Sequence, residues 1–141
     1  MSYSILIVDD SLPMRGIIKK TLRAAGFGAC TFLDAVNGKQ ALEILDSTSI
    51  DLVITDFTMP VMNGFELISA MKSTAALDRI PVVMVTSEGS REKIDQFREK
   101  GAAGYIRKPF TPEQLRDVLA SILEGPDHEE NPDDPDSRLD F

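Results

Sequence analysis

Segments rich in apolar residues alternate along the chain with segments in which apolar residues recur every three or four positions. The first kind is typical of strands buried on both faces of a parallel sheet, and the second of helices that bury one face. Five such pairs in succession predict an α/β protein whose parallel sheet is covered by helices on both sides through right-handed crossovers. The predicted strands lie at residues 5–8, 31–33, 52–54, 81–85 and 105–107.

Five helices follow from capping residues and buried stripes. Ser11 or Asp10 can cap the first helix, and Asn63 with Glu66 has the spacing of a capping box at the start of the third. The fourth helix, residues 91–100, has only two large apolar residues, so we expect it to be shallowly held and mobile. The predicted buried positions are Met14, Ile17, Ile18, Leu22 and Ala25 in the first helix, Ala41, Leu42 and Leu45 in the second, Leu67, Ile68 and Met71 in the third, Ile94 and Phe97 in the fourth, and Leu115, Val118, Leu119, Ile122 and Leu123 in the fifth.

Charge is distributed unevenly along the chain. A length of 141 residues is enough for one domain with its own core, which we place at residues 1–124. Of the formal net charge of −8, −6 falls on residues 125–141, an acidic, proline-rich segment that we expect to be a disordered tail. Neither part is basic enough for a nucleic-acid binder, and the tail is too short and too negative for a DNA-binding domain.

Cysteine usage and hydropathy indicate the compartment. Cys30 is the single cysteine, so the chain cannot form an internal disulfide. Neither a leading signal peptide nor a long apolar span is visible in the sequence. We therefore expect a cytoplasmic protein without membrane insertion.

Polar residues of different kinds follow four of the five predicted strands. Asp9 and Asp10 end the first strand, Asp56 the third, Thr86 the fourth and Lys108 the fifth. Any one of them alone is easily explained as a solvated loop residue, or as a negative charge at a helix start. The carboxyl ends of parallel strands meet at one edge of the sheet, which is where ligands bind in open α/β sheets. Polar residues at four equivalent places therefore indicate a functional site.

These residue types suit phosphoryl chemistry beside a divalent cation. Three converging carboxylates repel one another unless a cation binds between them, and hard oxygen ligands select Mg²⁺ or Mn²⁺. Lys108 offers a point charge, and Thr86 a hydroxyl donor, to phosphoryl oxygens. An oxygen of Asp56 is then placed to accept a phosphoryl group in line.

The order Asp-Asp, Asp, Thr, Lys at the ends of the first, third, fourth and fifth strands resembles the receiver domain of bacterial two-component response regulators, particularly the stand-alone CheY-like type. The resemblance spans about residues 3–124. It implies a flavodoxin-like five-stranded parallel sheet of order 2-1-3-4-5 with five helices. It also implies a signalling switch that catalyses only its own phosphorylation and dephosphorylation.

Site roles follow from that resemblance. It makes Asp56 the phosphoacceptor and gives Asp10, Asp56 and the Thr58 carbonyl as direct ligands of Mg²⁺, with Mn²⁺ as a substitute. Asp9 then acts mostly through metal-bound water. Thr58 stands at a position that varies in the family and influences the lifetime of the phosphoryl group.

The remaining roles implied by the resemblance concern the switch. Lys108 pairs with the phosphoryl group, Thr86 is the switch hydroxyl, and Tyr105 is the aromatic residue whose rotamer changes with it. A cis peptide is implied between Lys108 and Pro109. The expected partners are a histidine kinase and a downstream protein that binds the face formed by the fourth helix, the fifth strand and the fifth helix, and the unphosphorylated protein is expected to be a monomer.

Three other functions compete with a phosphorylation-dependent binding switch, for which a chemotaxis pathway is the first expectation. The chain can instead serve as a phosphate sink or phosphorelay intermediate, or as a scaffold that has lost phosphoryl transfer. A Mg²⁺-dependent phosphatase with an aspartate nucleophile is the enzymatic alternative. Such phosphatases place a second aspartate two residues after the nucleophile, and Thr58 occupies that place here.

Overall fold

Strands and helices alternate in the computed structural model, which describes residues 2–87 and 89–124, and a π-helical segment, Arg23–Phe27, continues the first helix. In chain order the elements are β1 (Ser4–Val8), α1 (Leu12–Leu22), β2 (Thr31–Ala35), α2 (Gly38–Ser47), β3 (Leu52–Asp56), α3 (Gly64–Lys72), β4 (Val82–Thr86), α4 (Arg91–Glu99), β5 (Gly104–Arg107) and α5 (Pro112–Leu123). The tail expected at residues 125–141 lies outside the described residues.

All strand pairs are parallel, in the order β2-β1-β3-β4-β5. This confirms the predicted flavodoxin-like fold. Because the order reverses between β1 and β3, the crossovers from these two strands leave on opposite faces, and a crevice opens between their carboxyl ends. Val8 pairs with Ala35 on one side and with Thr55 on the other, so the residue after Val8 lies beside the end of β3.

Two hydrophobic clusters fill the two faces of the sheet. Residues of β1 alternate between them, since successive side chains of a strand point to opposite faces. Helices α2, α3 and α4 cover one face, and α1 and α5 cover the other. Nearly every residue of the three central strands is buried, which explains why these strands read as continuous apolar runs rather than as alternating ones.

Helix starts follow the predicted capping chemistry. The Ser11 hydroxyl accepts a hydrogen bond from the backbone N–H of Met14, so Ser11, rather than Asp10, caps α1. Asn63 and Glu66 form a complete capping box at α3. A similar pair, Thr111 and Gln114, starts α5.

Two details differ from the sequence-based expectation. Ile17 was expected on the buried side of α1, but it is half exposed, and the buried position in that turn belongs to Arg15. Strand β2 runs to Ala35, two residues beyond the predicted segment. The buried Arg15 is paired with Asp34 of β2, and β2 extends to Ala35 because Asp34 and Ala35 pair with Ile7 and Val8 of β1.

Val61, in the loop before α3, has a backbone conformation that disfavours its side chain. Its φ is +71° and its side chain is 75% exposed, so burial does not compensate for a β-branched residue in the left-handed region. We expect Val61→Asn to raise the free energy of unfolding by about 1 kcal/mol in urea denaturation, because asparagine tolerates this region.

Val36 provides the matched control for this substitution. It is also an exposed valine in a loop, but its φ is not positive. Val36→Asn should therefore change stability by less than about 0.5 kcal/mol. Equal gains in the two variants would contradict an origin in backbone strain.

Candidate functional site

Three carboxylates meet at the crevice between β1 and β3. One ligand oxygen from each of Asp9, Asp10 and Asp56 lies within 4.8 Å of the others. Lys108 reaches the same place from the end of β5, with its Nζ 3.4 Å from Asp56 Oδ1 and 4.0 Å from Asp9 Oδ2. The sequence-based expectation that these four residues converge is therefore confirmed. We refer to the three carboxylates as the acidic cluster.

Asp9 is a buried carboxylate with one unsatisfied oxygen. Only 1% of the residue is exposed, and its Oδ1 accepts a hydrogen bond of 2.8 Å from the backbone N–H of Ser11. Its Oδ2 is buried without a hydrogen-bond partner. Burial raises the pKa of Asp9, and the negative charge of Asp56 raises it further. A buried anionic oxygen of this kind is costly unless a cation or a donor joins it.

Asp56 is the last residue of β3 and is half-buried. Its Oδ1 accepts a hydrogen bond of 2.9 Å from the backbone N–H of Phe57 and contacts Lys108. The pKa of Asp56 is nevertheless raised, because burial outweighs the favourable charge of Lys108 and Asp10 adds repulsion. The carboxylate is thus fixed in orientation and carries a charge that its surroundings only partly balance.

The acidic cluster has the donor set of a hard divalent cation. Its donors are carboxylate oxygens, the buried Asp9 Oδ2 has no hydrogen-bond partner and only the more distant charge of Lys108, and Asp10 is exposed, which leaves one side open to water. Mg²⁺ favours a few carboxylates together with water and phosphoryl oxygens, and Mn²⁺ accepts the same ligands. Asp9, Asp10 and Asp56 therefore fit such an ion.

Metal-free protein should be stabilised by Asp56→Asn in a pH-dependent way. The folded-state pKa of Asp56 lies above its ordinary value of 3.8, so the folded protein binds more protons than the unfolded chain between these two pKa values. Stability is therefore lost as the pH rises through the folded pKa. In EDTA at pH 7 we expect the variant to gain about 1 kcal/mol in urea denaturation, and the gain to vanish toward pH 4.

Asp51, the residue immediately before the same strand, supplies the control. Its carboxylate is exposed and accepts a hydrogen bond from the backbone N–H of Ser4, so Asp51→Asn should bring no gain at pH 7. A gain for Asp56→Asn that is equally large at pH 4 and pH 7 would show that packing, rather than charge, is responsible.

The other predicted site residues lie on β4, on β5 and in the loop after β3. Thr86 ends β4 and is buried, and its backbone carbonyl accepts a hydrogen bond of 2.8 Å from the N–H of Lys108. Tyr105, on β5, is partly buried and packs against the core beneath α4. Thr58 is exposed in the loop after β3. The peptide between Lys108 and Pro109 is cis, as the resemblance implied.

An aromatic trio joins α4 to α3 and to the loop after β3. Phe57, the residue after Asp56, contacts Phe65 of α3 and Phe97 of α4, with ring centroids 4.8 and 5.7 Å away. Phe65 and Phe97 are 5.5 Å apart, and Lys93 of α4 lies 4.8 Å above the Phe57 ring. The loop that carries Asp56 is therefore packed against α4. The sequence predicted Phe97 as a buried residue of this helix, but it did not single out Phe57, Phe65 or Lys93.

Arg15 and Asp34 are site neighbours that sequence reasoning missed. The Arg15 Nη1 donates a hydrogen bond of 2.7 Å to the Asp9 carbonyl, and its Nε lies 2.8 Å from Asp34 Oδ2. A signal was present, because Arg15 is three and seven residues before Ile18 and Leu22 and so occupies a position on the buried stripe. A charged residue at such a position indicates a buried ion pair.

The fold and the acidic cluster together define the class, a flavodoxin-like α/β domain with a carboxylate and lysine site at the switch point of its sheet. The family model described as the response regulator receiver domain matches residues 5–120. The chain belongs to this family, whose members are the signalling switches of two-component systems. Among the described residues, none of the helices combines the length and apolar character needed to cross a membrane.

Named relatives and solved structures agree with this assignment. The chain is 41% identical over 120 residues to Chemotaxis protein CheY of Pseudomonas aeruginosa, covering 85% of this chain and 95% of the relative. It is 39% identical over 120 residues to Chemotaxis protein CheY1 of Helicobacter pylori, covering 84% and 95%. The structure of the chemotaxis response regulator CheY4 of Vibrio cholerae matches with a TM-score of 0.73 at 34% identity, covering 89% of this chain and 98% of that one.

Proposed function

We propose that this response regulator accepts a phosphoryl group on Asp56 from a histidine kinase and signals through protein contacts that depend on that modification. The observation that carries the proposal is the position of the Lys108 Nζ, 3.4 Å from an oxygen of a carboxylate that shares the acidic cluster. A structural lysine would need one carboxylate partner. Here the Lys108 Nζ lies near two carboxylates, those of Asp56 and Asp9, and the third carboxylate of the acidic cluster lies beside them, which suits a site that also receives a cation and a phosphoryl group.

The chain supplies the attacking oxygen, its orientation and part of the charge compensation. An Asp56 oxygen forms a bond to phosphorus as the bond from phosphorus to the histidine nitrogen breaks, and the departing imidazole takes up a proton. The Phe57 N–H holds the carboxylate in place, and Lys108 stabilises negative charge on the transferred group. Asp10, Asp56 and the Thr58 carbonyl would hold Mg²⁺ directly, with Asp9 acting mostly through metal-bound water, and the ion would supply further charge neutralisation.

Phosphorylation is proposed to act on the face formed by α4, β5 and α5. A phosphoryl group adds a charge of roughly −1.5 to −2 and three acceptor oxygens beside the end of β4. Thr86 moves toward those oxygens, and Tyr105 follows into the space that it leaves. Because α4 rests on the aromatic trio that begins at Phe57, its position is sensitive to the same change.

The pathway is proposed from the relatives. Proteins that are 39–41% identical to this chain are named chemotaxis proteins, which favours a chemotaxis pathway in the cytoplasm and a downstream protein target. A role as phosphate sink or phosphorelay intermediate uses the same site. Comparing the proteins captured by beryllofluoride-treated and untreated chain separates the two roles, since a sink gains no new target on activation.

Labelling with acetyl phosphate and Mg²⁺ tests the proposed chemistry. Mass spectrometry should detect one added phosphoryl group in the wild type, and EDTA or Asp56→Asn should abolish it. Asp51→Asn, immediately before β3, should be labelled normally. A wild type that takes no label, or an Asp56→Asn variant labelled as strongly as the wild type, would contradict the proposal and leave a scaffold role.

A further inference from the structure

Arg15 is a buried cation that joins three elements behind the acidic cluster. The residue lies in α1 and is only 8% exposed. Its Nη1 donates a hydrogen bond of 2.7 Å to the backbone carbonyl of Asp9, and its Nε donates one of 2.8 Å to Asp34 Oδ2 on β2. The two donors of one planar group thus hold the end of β1 and the end of β2 in a fixed relation.

The backbone of Asp9 is consequently held on both sides. Its N–H donates to the Ala35 carbonyl at 3.0 Å, while its carbonyl accepts from Arg15. Its side chain then has one oxygen on the Ser11 N–H, which leaves Oδ2 in the acidic cluster. The direction of Oδ2, and the path of the chain into Asp10, depend on this anchored peptide.

Asp34 is arranged to remain a partner for Arg15. Burial by itself would raise the pKa of Asp34, but the hydrogen bonds and charges of Lys19 and Arg15 outweigh it and lower the pKa. Asp34 therefore stays ionised at neutral pH. Lys19 contacts the same carboxylate from the next turn of α1, so it shares Asp34 with Arg15 without the contact to Asp9.

We propose that Arg15 is a positioning residue for the divalent cation, acting through the Asp9 carbonyl to hold the Asp9–Asp10 turn in its ligating arrangement. The inference rests on the proposed function, because the cation is the Mg²⁺ ion that is proposed to bind at the acidic cluster. Arg15 does not touch the ion or the phosphoryl group. It acts by restricting where two of the ligands can lie, as residues behind a metal ligand commonly do.

The direction in which the Mn²⁺ affinity changes separates a positioning role of Arg15 from a simple electrostatic effect of its charge. A positive charge behind a cation site repels the ion, so removing that charge alone should strengthen Mn²⁺ binding. Loss of positioning should weaken it instead. Arg15→Met removes both the positive charge and the two N–H donors of the guanidinium group. Arg15→Lys keeps the charge but cannot donate hydrogen bonds to both Asp9 and Asp34 in the same geometry.

Mn²⁺ affinity, measured from the electron paramagnetic resonance signal of the free ion, tests the proposal on the full chain. We expect Arg15→Met and Arg15→Lys to weaken binding about tenfold or more, and the control Lys19→Met to stay within about twofold of the wild type. The initial rate of labelling by acetyl phosphate should then need more Mg²⁺ to reach half-saturation. At saturating Mg²⁺ it should return to within about threefold of the wild-type rate.

The measured affinities and rates can contradict either the positioning role of Arg15 or the proposed function. Unchanged or tighter Mn²⁺ binding in Arg15→Lys, with circular dichroism showing a folded protein, overturns the positioning role. If Arg15→Met does not fold, Arg15→Lys alone decides. A labelling rate that stays low at saturating Mg²⁺ also overturns it, because the defect would then lie in the chemical step. A wild type that binds no Mn²⁺ would instead refute the proposed function itself.

Discussion

Replacing Lys108 with methionine should lower the initial rate of Asp56 labelling by acetyl phosphate about a hundredfold or more. The Lys108 Nζ is 3.4 Å from Asp56 Oδ1 and 4.0 Å from Asp9 Oδ2, and its side chain is 22% exposed. A preorganised donor aimed at developing charge is commonly worth a factor of 10²–10³ in rate. Methionine keeps the approximate length of the side chain but removes the charge.

The measurement should follow the initial rate rather than the final extent of labelling. A residue that stabilises charge on the transferred group speeds both the phosphorylation of Asp56 and the hydrolysis of the product. If both rates fall in the variant, the fraction of labelled protein at steady state can stay close to that of the wild type. Lys93→Met is a suitable control because Lys93 is a cation close to the same loop, over the Phe57 ring. We expect that variant to label within about threefold of the wild type.

Labelling of Lys108→Met within threefold of the wild type would show that the lysine balances the acidic cluster without acting on phosphorus. Its contribution would then appear in stability alone. Lys108 lowers the pKa of both Asp9 and Asp56 against the opposing effect of burial. Removing it should therefore raise both pKa values, and a change in the pH profile of stability would remain even if the chemistry were unaffected.

The site was predictable from sequence because of a property of parallel sheets. All strands of such a sheet end at one edge, so residues that follow separate strands are brought together without any knowledge of the packing. Asp9, Asp10, Asp56 and Lys108 could be placed in this way, and the structure confirms their convergence. The order of the strands came from family resemblance, since alternation of strands and helices alone does not fix it.

Features that depend on tertiary contacts could not be predicted from the sequence. Arg15 replaces Ile17 as the buried residue of its turn because Asp34 and the Asp9 carbonyl satisfy its charge, and both partners become visible only when β2 lies beside β1. The positive φ of Val61 was not predictable either, because a β-branched residue carries no local signal for that conformation. A composition-based expectation that α4 moves stays a prediction.

Replacing Phe97 with alanine should lower the free energy of unfolding by about 3–5 kcal/mol in urea denaturation. Phe97 is 0% exposed and is among the largest fully buried side chains of the described residues. It is also one of only two buried residues of α4, the other being Ile94. The substitution therefore leaves a cavity beneath the helix and removes most of what attaches that helix to the sheet.

Phe97→Leu supplies the graded control, since leucine fills much of the space and should cost about 1–2 kcal/mol. Hydrogen exchange of the α4 amides should rise more in the alanine variant than exchange at β1 or β3, because the helix loses its anchor while the central strands keep theirs. Labelling of Asp56 should persist, since the acidic cluster lies on the chain after β1 and at the end of β3, and Lys108 lies on the chain after β5. A loss below about 1.5 kcal/mol for Phe97→Ala would mean that α4 settles into the cavity, and that the aromatic trio does not hold the helix in one position relative to the loop carrying Asp56.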